Sequence, residues 1–171
     1  MTLKPIDLEL DDYQLQAIGL FCTQWAYFET EMMFMISGLA EHIDGNAYVE
    51  QRFSDKIKQW KRLVKAMYGK DLPDIAKKYQ RIIEEGEKGH KINGILTHGR
   101  IVGDKRTRKV HVTHHRFHRK GDSYEWRVQP YTLHARGIKS WGIAVGRITN
   151  ELIKLNEKYL PVRPRSLPRK S

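Results

Sequence analysis

Apolar residues recur along the first quarter of the chain at alternating spacings of three and four: Ile18, Phe21, Trp25, Phe28, Met32, Met35 and Leu39. That period marks one face of a helix. The seam predicts one long helix, capped by Asp11 or Asp12 and ending near Gly45. Met32 and Met35 fall on the seam, so the EMMFMI run reads as core packing rather than a soft-ligand surface. A second seam, Phe53, Ile57, Trp60, Val64 and Met67, predicts a helix capped by Ser54 and closed at Gly69. Pro73 suits the first turn of a third helix carrying Ile75, Tyr79 and Ile82. Steps of seven from Tyr79 land on Gly86 and Asn93, and Gly86 and Gly89 weaken the helix enough to allow a kink. Ile92, Ile95 and Leu96 anchor its last turns. Gly99 suits the left-handed position just past a helix end.

After Gly99 the period changes. KVHVTHHRFHRK and YEWRVQPY carry β-branched and aromatic residues in partial alternation, with Gly121-Asp122 between them, which predicts a β-hairpin. Val110, Val112, His114, Arg116 and His118 fall on one face, and His111, Thr113, His115 and Phe117 on the other. A shorter strand is expected over Arg100 to Val102. Pro130 either stops the second hairpin strand or confines it to an edge. A fourth helix follows, with Thr132 as its expected cap and Ile138, Trp141, Val145, Ile148, Leu152 and Leu155 as its seam. Pro161 ends it. The expectation is a mainly α fold: a four-helix bundle with a β-hairpin inserted between helices 3 and 4. A single domain is expected over 1–160, with the insertion at about 100–130, and a basic flexible tail over 161–171.

Charge sharpens this picture. The chain nets +11 over 171 residues. Residues 100–120 contribute +7 and the tail from Val162 contributes +4, so the rest of the chain is neutral. Such concentration points to a polyanion partner. Arg106, Arg108, Lys109, His111, Arg116, Arg119 and Lys120 are the candidate nucleic-acid-binding residues, with aromatic side chains interleaved for stacking. A solvated basic hairpin without a partner is the alternative. No apolar run reaches the roughly 20 residues that span a bilayer, and MTLKPIDLELDDY does not read as a signal peptide, so no membrane partner and a cytoplasmic location are expected. Cys22 is the only cysteine, which excludes an internal disulfide and reads as a buried, inert thiol. The hairpin histidines invite a metal, but strand residues four apart lie about 13 Å from each other, and neither metal nor cofactor is expected.

The remaining candidate chemistry lies in KGHKINGILTHGR, residues 88–100. Lys91 and His98 are seven apart and share a side of the helix, Asn93 points partly round that side, and Arg100 follows. His98 reads either as an acid/base group or as a terminal histidine bonding the last helix carbonyls. Asn93 reads either as a site residue or as a satisfied core amide. The run Asn93-Gly94-Ile95-Leu96-Thr97-His98-Gly99, with a long first helix bearing Glu29 and a hairpin after His-Gly, resembles the HEPN superfamily. The resemblance covers the layout of roughly the whole chain.

The resemblance implies a helical core, a metal-independent endoribonuclease or an RNA-binding relative of one, and a dimer in which motifs of two protomers face each other. It implies His98 as the acid/base group and a cation on the phosphate. The family's Arg position is Asn93 here, so the motif is degenerate and Lys91 or Arg100 would have to meet the phosphate. The sequence therefore predicts an RNA-binding HEPN-like homodimer with candidate catalytic residues His98, Lys91, Asn93 and Arg100. A non-catalytic dimeric interaction protein, antitoxin-like or a phage or defence accessory factor, is the alternative.

Overall fold

The computed structural model describes residues 9–120 and 123–160, with side chains described outside 116–124. Its elements run α1 (Asp12–Asp44), α2 (Phe53–Tyr68), α3 (Pro73–Thr97), β1 (Arg100–Asp104), β2 (Lys109–Lys120), β3 (Ser123–His134) and α4 (Ala135–Tyr159). Four helices with a small antiparallel sheet between the third and fourth match the expected class. Among the described residues, no helix is long and apolar enough to cross a membrane. The expected tail over 161–171 lies outside the described residues. The chain divides into two compact units: residues 1–25 with 88–144, and residues 26–87 with 145–171.

In the first unit, α1 opens on a reciprocal cap. Asp11 Oδ1 accepts from the Gln14 backbone N–H at 2.7 Å, and Gln14 Oε1 accepts from the Asp11 N–H at 2.7 Å. Each side chain thereby satisfies a donor that the helix start leaves unpaired. The fully buried Gln14 amide also donates to the carbonyls of Lys109, at 2.7 Å, and Asp104, at 3.2 Å. Both its N–H donors and its carbonyl oxygen are bonded, which is what makes a buried amide affordable.

The sheet order is β1-β2-β3, with Arg100 opposite Thr113, Val102 opposite His111, Thr113 opposite Pro130 and His115 opposite Val128. Val110, Val112 and His114 are buried while His111 and His115 are exposed, so the two predicted faces are an inner and an outer one. β3 runs through Pro130 as an edge strand, the place in a sheet that tolerates proline. The predicted short strand extends to Asp104. Thr132 does not cap α4. It stays in β3, and α4 starts three residues later, where the Ala135 N–H donates to the Arg108 carbonyl at 3.1 Å.

In the second unit, Phe28, Met32, Met35, Ile36 and Leu39 of α1 are fully buried, as are Trp60 and Leu63 of α2 and Tyr79, Ile82 and Ile83 of α3. The Phe28 ring lies 6.4 Å from Trp60 and against Gly86, where an added Cβ would come within 2.5 Å of it. α3 is one helix through Gly86 and Gly89, without interruption. Gly86 thus leaves room for the close approach of the Phe28 ring. Tyr68 and Tyr79 stack at 5.4 Å. Tyr68 donates to the Tyr159 carbonyl at 2.9 Å and Tyr79 to Asn156 Oδ1 at 3.3 Å. Ser54 is not the α2 cap. The Arg52 carbonyl already accepts from Asp55 and Lys56, so Arg52 holds the cap position and Ser54 sits in the first turn.

Candidate functional site

The end of α3, all three strands and the start of α4 belong to the first unit, so the candidate residues described here share one compact body. Lys91 is exposed on α3, Asn93 is half-buried, His98 is exposed just past the helix and Arg100 is exposed at the first position of β1. The Asn93 carbonyl accepts from the Thr97 hydroxyl at 2.8 Å. Glu29 is half-buried on α1 in the other unit.

His114 meets a carbonyl near the end of α3. Its Nε2 lies 2.8 Å from the Ile95 oxygen. A carbonyl only accepts, so Nε2 carries the proton. The bond satisfies a carbonyl near the helix end and ties β2 to α3. His114 is 1% exposed and packs at 4.9 Å on the Tyr131 ring. Gly99 is not left-handed, since Gly45, at φ +70°, is the positive-φ glycine of the described residues. Glycine is required at 99 for room: an added Cβ would lie 2.2 Å from Val112 and 2.6 Å from His114. The alternation of β2 already put His114 beside Val110 and Val112, which was the available signal for a structural histidine.

The basic residues of the β1–β2 turn are held outward. Asp104 Oδ1 accepts from the Arg106 and Thr107 N–H groups at 3.0 and 3.1 Å, and Oδ2 from the Thr107 hydroxyl at 2.6 Å. The Thr107 hydroxyl and N–H, then Arg106, hold the Asp104 carboxyl below its ordinary range. Arg106 and Arg108 are exposed, and Arg108 takes a left-handed φ of +53°. Its guanidinium lies 5.0 Å over the Tyr13 ring, and Lys139 Nζ of α4 lies 5.4 Å over the same ring. Neither Tyr13 nor Lys139 stands out in the sequence, because only the fold brings them to the turn. Lys109 is half-buried. His111 is exposed, with Nδ1 3.2 Å from the Thr132 hydroxyl. Arg116, Arg119 and Lys120 belong to β2, but their side chains lie outside the described residues.

The outer sheet face collects Arg100, Val102 and Asp104 from β1, Lys109, His111, Thr113 and His115 from β2, and Trp126, Val128, Pro130, Thr132 and His134 from β3. Trp126 is 60% and Val128 59% exposed, and the His115 ring stands edge-on to Trp126 at 6.2 Å. Among the described residues, no group of three or more His, Cys, Asp or Glu side chains is placed to hold a metal ion. Comparison with protein-family models, curated proteins and solved structures yields no match.

Proposed function

We propose that this chain is a HEPN-like RNA-binding protein whose sheet-bearing unit grips the phosphate backbone, with a degenerate ribonuclease centre at the end of α3. The observation that carries the binding half is the β1–β2 turn. It presents Arg106 and Arg108 outward, its one carboxylate is occupied by its own turn, and Lys139 joins Arg108 over Tyr13. Cations gathered on one surface attract a polyanion by releasing its counterions. For the catalytic half, the support is that His98, Lys91 and Arg100 are exposed in the unit that carries those cations. On this reading His98 takes the proton of the RNA 2′-hydroxyl, the 2′-oxygen attacks phosphorus and the bond to the 5′-oxygen breaks. That oxygen takes a proton from water, and Arg100 or Lys91 steadies the phosphorane charge.

The test is incubation of the purified chain with labelled RNA in chelator. His98→Ala should lower cleavage by about 100- to 10,000-fold without loss of fold. Cleavage unaffected by that change overturns the catalytic half, and absence of RNA binding at low salt overturns the binding half. A non-catalytic dimeric interaction protein is the second reading, favoured by Tyr27, Met33 and Phe34, exposed apolar residues of α1. Light scattering at tens of micromolar separates a dimer from a monomer.

A further inference from the structure

We infer that the outer face of the sheet is a stacking platform for single-stranded nucleic acid, with Trp126 as its principal anchor. The inference rests on the RNA-binding reading and names the form of RNA that the surface takes. An indole 60% exposed on the same strand face as a valine 59% exposed is unusual apolar surface. His115 stands beside Trp126, and Thr113, His111 and Arg100 lie further along the same face, so the surface mixes aromatic rings with cationic and hydrogen-bonding groups. A protein docking through burial would call for a continuous apolar patch, whereas a nucleotide strand calls for flat rings between donors.

Charge selects the same occupant. Among the described residues of the outer face, Asp104 is the one acid, and both its carboxylate oxygens accept hydrogen bonds from its own turn. Arg100 and Lys109 supply cations on the face, and Lys105 and Arg106 extend them past its end. β2 is 12 residues long, or roughly 35 to 40 Å, so the track is long enough for several nucleotides. The edge-on contact of His115 at 6.2 Å supports the Trp126 ring. Stacking needs bases whose faces are free, and a duplex hides them. The platform therefore distinguishes single strands from duplexes where the cations alone would not.

The test is fluorescence anisotropy of the whole chain at low salt with a labelled 12-nucleotide single-stranded RNA and a duplex of the same length. Trp126→Ala should weaken single-strand binding by roughly 5- to 150-fold, the worth of one stacked base, and leave duplex binding unchanged. Trp126→Phe should recover most of the loss. The exposed position makes both variants fold-neutral, which circular dichroism checks. Arg106→Glu should weaken both ligands. Single-strand affinity unmoved by Trp126→Ala, or equal wild-type affinity for duplex and single strand, overturns the platform. If Arg106→Glu still weakens binding in that case, the broader RNA-binding reading survives. Failure of the wild type to bind either ligand overturns both.

Discussion

At the scale of single residues, steric room separates glycines that look alike in sequence. Gly86 lies against Phe28, whose ring is fully buried beside Trp60 and cannot move aside. Gly86→Ala should cost about 1–3 kcal/mol by overpacking. Gly19 sits in α1 with nothing within 4 Å of an added Cβ, so Gly19→Ala should stabilise by about 0.5–1 kcal/mol through helix propensity. Urea unfolding of the two variants against the parent checks both signs. His114 gives a second case. His114→Ala leaves the Ile95 carbonyl without this donor and should cost about 1–3 kcal/mol. Tyr79 gives a third: burial, then the neighbouring Tyr68, pushes its phenol well above the ordinary tyrosine range. The folded state favours the neutral phenol, so this contribution is complete below about pH 10 and is lost as pH climbs beyond it. The urea midpoint should therefore fall between pH 9 and pH 11, and should fall less in Tyr79→Phe.

At the scale of elements, what the sequence reveals depends on how local the determining contact is. The helix seams were legible because burial repeats every three or four residues, and Phe21, Trp25, Phe28, Met32 and Tyr79 are all buried as their spacing requires. The two faces of β2 were legible for the same reason at period two. The start of α4 was not, because its first N–H finds a carbonyl 27 positions earlier, at Arg108, rather than a neighbouring side chain. The sequence named candidate residues but not the surface they share. Lys91, His98 and Arg100 are exposed as a site needs, but Trp126, Arg100 and His115 become one surface only through strand register. The turn offers a clean probe of this element. Arg108 holds a left-handed φ of +53°, where glycine meets no Cβ penalty. Arg108→Gly should thus remove a cation while leaving the unfolding free energy within about 1 kcal/mol of the parent, with the lost Tyr13 contact offsetting the relieved backbone. RNA affinity measured on a variant of parental stability then reports charge alone.

At the scale of the whole molecule, the net charge of +11 matters by where it is fixed. Arg100, Lys105, Arg106 and Arg108 are exposed on or beside β1, in the unit that also places Lys139 over Tyr13. Cations elsewhere are often balanced: Arg62 pairs with Asp44, Arg81 with Glu151, Lys61 with Glu87 at 3.2 Å and Lys77 with Asp74 at 3.6 Å. If about four phosphates are neutralised on a single strand, log affinity should fall with log salt at a slope of about −3. Raising salt from about 50 to about 200 mM then weakens binding roughly 60-fold. Arg106→Ala should make the slope shallower by about 0.7, because one counterion fewer is released. Lys77→Ala removes the same formal charge from α3 in the other unit and should leave the slope where it was. Equal effects of the two changes would mean that binding follows net charge rather than a surface, and the assignment of the β1–β2 turn as the phosphate grip would fall. A slope changed by Arg106 and untouched by Lys77 locates the grip on the sheet-bearing unit.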